Sequence, residues 1–154
     1  MAKAKVYTCL WYDGNALEAA KLYVSLIPNS KVHGVEDYAS DTPLVVRFNL
    51  GGTEYMGLNG GPHFKFNEAA SIVVNCETQE EIDRLWAALL EGGGAESQCG
   101  WLKDRFGLSW QIVPTIMEEL MSKGDKDAGG RMMAAMMKMV KLDIAQLKAA
   151  YYGQ

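Results

Sequence analysis

The chain has 154 residues, 49% of them hydrophobic and 22% charged, with a formal net charge of −4 and a pI near 5.2. That balance is a globular one and excludes disorder. The 15 Lys and Arg are scattered among 19 acids, which argues against a nucleic-acid partner, and no apolar run approaches the roughly 18 residues of a bilayer-spanning helix. Met1-Ala2-Lys3-Ala4-Lys5 leads into a strand-like stretch without a hydrophobic signal core. Cys9, Cys76 and Cys99 are an odd number with no close pair, which fits a reducing, cytoplasmic setting.

Val6–Tyr12 is a short apolar and aromatic run that reads as a buried strand. Asn15 and Glu18 read as a capping box opening a helix of about three turns, with Leu17, Ala20, Val24 and Ile27 at helical spacing. Strands are predicted at Lys31–Tyr38, Leu44–Leu50 and Thr53–Leu58, the last two joined by a tight turn at Gly51-Gly52. After the loop Asn59–Asn67 the series starts again. Ser71–Cys76 is a β-branched strand, and Thr78 with Glu81 is a second capping box. Ile82, Leu85, Trp86 and Leu89 then line a helix that Gly92–Gly94 stop. A strand around Gln98–Lys103, a turn at Asp104–Gly107 and a strand Leu108–Val113 follow.

The halves match by position. Asn15 and Thr78, Glu18 and Glu81, Leu22 and Leu85, Tyr23 and Trp86 are each 63 positions apart. The last hairpins match at an offset of 55, so the second half lacks eight residues and one of its strands should be short or missing. The expected architecture is α+β: two βαβββ modules, 5–58 and 70–113, forming a curved mixed sheet around a cleft within a single domain. A helical tail, 115–152, completes it, with Thr115–Glu118 as a third capping box, a break at Gly124–Gly130, a Met-rich stretch and Asp143 capping a final helix.

Several stretches resemble the PhnB-like branch of the vicinal oxygen chelate superfamily, the glyoxalase, bleomycin-resistance and extradiol-dioxygenase group. They are Leu10-Trp11-Tyr12-Asp13-Gly14, Pro28-Asn29-Ser30, Leu58 through Phe66, Val74 through Thr78, Gln98 through Asp104 and Phe106 through Pro114. The resemblance extends over nearly the whole chain, including the tail that ends in Ala150-Tyr151. It implies the paired-module fold and a homodimer, with the Met-rich tail as a candidate interface. Fold alone names no chemistry. The branch is often labelled demethylubiquinone methyltransferase-like, yet no Rossmann-type glycine-rich turn follows the first strand to hold S-adenosylmethionine.

In metal-using relatives each module supplies one ligand from its first strand and one from its last. The resemblance and the internal offset carry those positions to Thr8 and Ser71, and to Met56 and Gln111. Neutral hydroxyls, an amide and a thioether bring no charge to offset stripping a dication of its water, so no metal and no other cofactor is expected. The two histidines, His33 and His63, read as isolated.

The remaining pocket candidates are polar or aromatic groups able to orient a small molecule: Gln111, His63, Asn59, Thr8, Ser71 and Trp101. Each has a plainer structural reading beside it. Gln111 could satisfy backbone groups, Thr8 and Ser71 could bond their own strands, and Asn59 could bond the turn it sits in. His63 could cap loop carbonyls, and Trp101 could be core. Three functions stay open at this level. One is a metal-independent small-molecule-binding protein. Another is a lyase-, isomerase- or dioxygenase-type enzyme acting on a small carbonyl or aromatic metabolite, with a cryptic metal or with His63 and Gln111. The third is a subunit whose role is association.

Overall fold

The computed structural model describes residues 4–38 and 40–154, and its contacts divide them into two compact units, one ending at Phe66 and one beginning at Asn67. In the first unit β1 (Thr8–Tyr12) is followed by α1 (Ala16–Leu26), β2 (Lys31–Glu36), β3 (Val45–Leu50) and β4 (Thr53–Asn59). The second unit repeats the order with β5 (Ser71–Cys76), α2 (Gln79–Leu90), β6 (Ala95–Glu96), β7 (Trp101–Lys103) and β8 (Ser109–Pro114). Each module forms a four-stranded mixed sheet, β1-β4-β3-β2 and β5-β8-β7-β6, with its first strand parallel to its last. This is the βαβββ pattern twice. The tail adds α3 (Thr115–Met121), α4 (Lys126–Met136) and α5 (Ile144–Tyr152) to the second unit.

In each module one sheet face packs on the helix. Leu10, Val46 and Phe48 are buried with Ala16, Ala19, Ala20 and Tyr23 of α1. In module two Cys76, Leu102, Trp110 and Ile112 are buried with Ile82, Leu85, Trp86 and Leu89 of α2. Alternation along each strand leaves the other residues on an opposite, open face, which is where a ligand could lie.

The two-residue β6 is the strand shortened by the eight-residue deficit. β7 is shorter than expected because Cys99 and Gly100 donate their amides to the Met139 and Val140 carbonyls of the tail instead of continuing the sheet ladder. Two of the expected caps are absent. Asn15 makes no side-chain bond to α1; Asn59 Oδ1, at the end of β4, accepts the Ala16 amide at 2.9 Å instead. Thr115 is the first residue inside α3, and its hydroxyl donates to the Cys76 carbonyl. Thr78, Asp125 and Asp143 do cap their helices, each side chain accepting an amide three residues on.

The expected break at Gly124–Gly130 is confined to its first residues, since Gly129 and Gly130 lie within α4. A Cβ at Gly129 would come within 2.9 Å of Met121 Sδ, the far end of a flexible side chain. The tail core is Met117, Leu120, Ala128, Met132, Leu142, Leu147 and Tyr151, with Val113, Ile116, Met136 and Met139 packed against it. Met133 and Met137 point outward, 37% and 63% exposed.

Candidate functional site

Ladder register decides which side chains share a face. In module two Ser71 lies beside Ser109 and Lys103, and Val73 lies beside Gln111 and Trp101. All six are on the open face, opposite Trp110 and Ile112. Gln111 Nε2 donates to Ser71 Oγ at 2.9 Å, so two of the predicted pocket residues are joined directly. Trp101, half-buried, stands next to Gln111 on one side, and Val73, 52% exposed, on the other. Ser109 is 1% exposed, and its hydroxyl has no hydrogen-bond partner among the described residues. Buried hydroxyls are seldom left so, and one beside an open polar face is where water or a bound group completes a network. Lys103, the cation on this face, is paired with Glu68 at 2.5 Å.

Module one presents a different open face. Cys9 lies beside Met56 and Arg47, and Trp11 beside Leu58 and Val45. Arg47 donates from Nε to Glu36 at 3.1 Å and from its terminal nitrogen to the Tyr7 hydroxyl. These acceptors hold the guanidinium proton even more firmly than usual. His33 is not isolated, as its sequence context suggested. Its Nε2 lies 2.7 Å from Glu54 Oε2, across a bulge in β2.

Thr8 does not join this face. Its register partner is Tyr55, on the helix side with Phe48, whereas Met56 is partnered by Cys9. The matching pair in module two is Val73 with Gln111, so the first strands correspond at an offset of 64 and the helices at 63. The one-residue slip moves the counterpart of Ser71 from Thr8 to Tyr7 and reverses the face.

Asn59 and His63 are placed by the loop after β4. Asn59 uses both ends of its amide, accepting from Ala16 and donating to the Pro43 carbonyl at 2.7 Å. It also borders a cavity of about 380 Å³ in module one, with Asp13, Asp37, Tyr38 and Leu44 among the lining. The loop is fastened over Trp11, whose Nε1 donates to the Gly61 carbonyl and whose ring meets the edge of Phe64. Gly60 is required there, because a Cβ would fall 2.2 Å from the indole. His63 is exposed on this loop and makes no side-chain hydrogen bond to a described residue. Its ring therefore lacks the carboxylate that would orient a general base.

Arg47, Tyr7, Glu36 and the His33–Glu54 pair escape a motif search, since they come from three strands and the segment before β1. The signal that could have found them is strand parity in the correct register.

The sequence profile of the 3-demethylubiquinone-9 3-methyltransferase family matches residues 4–113. A solved PhnB protein from Bacillus cereus, which carries the same methyltransferase name, is 32% identical over 73% of this chain and all of its own, with a TM-score of 0.67. Protein PA1353 from Pseudomonas aeruginosa shares the fold at 22% identity over 73% of this chain and 98% of its own, TM-score 0.60. The fosfomycin resistance protein FosX from Listeria monocytogenes, solved with Mn(II) and sulfate, does so at 14% over 80% of this chain and 99% of its own, TM-score 0.52. No curated protein matches the sequence.

The manganese in FosX makes the fit of such an ion worth testing against the residues present. Hard dications need carboxylate oxygens or imidazoles. Here the register pair in module two is Val73 with Gln111, whose amide is bonded to Ser71, and the pair in module one is Cys9 with Met56; neither pair offers a carboxylate or an imidazole. Among the described residues no three His, Cys, Asp or Glu side chains come together as a metal-holding group. The donor set does not fit a manganese-type site. The profile ends at Val113, before the helical tail. The matched residues, the paired modules and the Bacillus cereus structure together establish that the chain belongs to the PhnB-like 3-demethylubiquinone-9 3-methyltransferase family, within the glyoxalase and bleomycin-resistance fold.

Proposed function

We propose that the protein binds a small molecule without a metal, on the open face of module two, through Gln111, Ser71 and Trp101. The observation that carries this reading is the Gln111–Ser71 bond at 2.9 Å, which fixes a polar pair on the sheet face opposite α2. Fixed, uncharged donors and acceptors beside an aromatic wall are the ordinary makings of a small-molecule site. An enzyme reading based on His63 has less support, since that ring has no orienting partner. The cytoplasm suits three free thiols. A homodimer suits the exposed Met121, Met133, Met137 and Tyr152 of the tail helices.

The test is a thermal-shift screen of the full chain against metabolites and divalent ions, with Gln111→Leu in parallel. Stabilisation by a metabolite, lost in the variant and indifferent to chelator, is the expected result. Stabilisation by manganese, zinc or nickel alone, with about one equivalent of metal in untagged protein by elemental analysis, would overturn it. Light scattering that gives the mass of one 17.0 kDa chain at micromolar concentration would remove the dimer.

A further inference from the structure

Resting on that site, we infer that its ligand is a neutral, planar molecule carrying N–H and C=O side by side, a cyclic amide of the lactam type, and not a carboxylate or a cation. Gln111 offers two N–H groups and a carbonyl oxygen, and Ser71 takes one N–H. The Gln111 oxygen and the Ser71 proton have no partner among the described residues. The pair therefore offers at least one donor and one acceptor together. Reversing the amide preserves this: the glutamine oxygen then accepts from Ser71, an N–H faces outward as donor, and Ser71 Oγ keeps a lone pair as acceptor. A cis-amide matches a donor beside an acceptor. A carboxylate, which only accepts, sets an oxygen against an oxygen.

Charge points the same way. Ser71, Val73, Trp101, Ser109 and Gln111 carry none, and the Lys103 ammonium is engaged by Glu68. An ionised ligand would lose hydration without a counter-charge to replace it. Shape gives the planarity. Gln111 lies in register between the indole of Trp101 and the side chain of Val73, so one amide is set in an apolar strip about three strands wide.

The experiment is a titration of the full, ¹⁵N-labelled chain, following the Gln111 side-chain amide and the Trp101 indole N–H. The probes are 2-pyridone, its N-methyl derivative, which has lost the donor, and benzoate. The expected result is saturable movement of both signals by 2-pyridone. N-methylation should weaken binding at least tenfold, as should Gln111→Glu, which keeps the shape but only accepts. Benzoate should leave both signals in place. If benzoate, or the N-methyl compound, moves the same signals as strongly as 2-pyridone, the amide class is wrong while the site stands. If neither these probes nor the metabolites of the thermal screen move them, both the class and the site fall.

Discussion

The two modules share one template and differ most where nothing in the template constrains them. Beneath the helices the buried positions stay apolar, as with Tyr12 and Cys76, which end the first strands at 2% and 0% exposure. On the open side module one carries the Arg47–Glu36 ion pair and the His33–Glu54 pair, and module two carries the neutral set Ser71, Gln111 and Trp101 beside one Lys103–Glu68 pair. Packing against a helix fixes the chemistry of one face because a buried charge is costly there. The open face is released from that demand and can diverge toward a ligand. The hairpins diverge as well. Module one closes Leu50 to Thr53 through Gly51-Gly52, whereas module two spans Lys103 to Ser109 with a longer turn built on Asp104.

That turn yields the largest expected effect. Asp104 is 2% exposed and its carboxylate accepts from the Phe106 and Leu108 amides and from Trp110 Nε1, at 2.9, 3.0 and 2.9 Å. Asp104→Ala would strand three donors, one of them on a fully buried indole. At about 1–3 kcal/mol for each unmet group, partly offset by relaxation, the loss should be about 3–5 kcal/mol in urea unfolding. Asp104→Asn, which keeps one acceptor oxygen, should cost about half as much. An alanine variant within 1 kcal/mol of wild type would mean that the two hairpins do not differ in how they are held.

The helix caps give a second, smaller contrast. The Asn15 position corresponds to Thr78, and Asn59 corresponds to Pro114, which has no polar side chain. Module one places its cap at the end of its last strand, and module two at the start of its helix. Asn59→Ala should therefore cost about 1–2 kcal/mol and Thr78→Ala about 1 kcal/mol, while Asn15→Ala should change stability by less than about 0.5 kcal/mol. Equal losses at Asn15 and Asn59, measured by chemical denaturation, would erase this distinction.

The caps also show how much the sequence alone could disclose. Alternation and helical spacing disclosed both modules, and the eight-residue deficit disclosed that a strand would be short or missing without showing which, because these features repeat locally. Asn15 was misleading since a capping residue is recognised by type and spacing, and Asn59, 43 positions from Ala16 in sequence, could meet the first amide of the helix only after folding. Thr8 was misplaced for a related reason. The 63-residue offset holds for the helices but not for the first strands, and a slip of one residue transfers a side chain to the other face. That Gln111 and Ser71 share a face was legible because the second strand pair keeps the expected parity. Their hydrogen bond was not, as it depends on which register two distant strands adopt.

The smallest expected effect concerns the thiols, which sample three surfaces. Cys9 is exposed on the open face of module one, Cys99 is half-buried with Sγ 3.8 Å from Met137 Sδ, and Cys76 is buried under α2. Burial raises the Cys9 thiol somewhat and pushes Cys76 up to about 12, with the Glu81 carboxylate adding to the latter. The thiolate is the reactive form, so at pH 8 a thiol reagent should label Cys9 and Cys99 in the folded protein and reach Cys76 only on unfolding. The same shift has a consequence for stability. Cys76 holds its proton more tightly folded than unfolded, where its value is 9.0. Below about pH 9 both states are protonated and the group contributes no pH dependence. Between about 9 and 12 the unfolded chain releases the proton first, so stability should fall as pH rises through that window. Cys76→Ala should flatten that part of the profile in denaturant titrations at pH 8, 9 and 10. A slope unchanged by the substitution would assign the alkaline loss to other groups, with Tyr55, whose phenol burial also raises, the next to test.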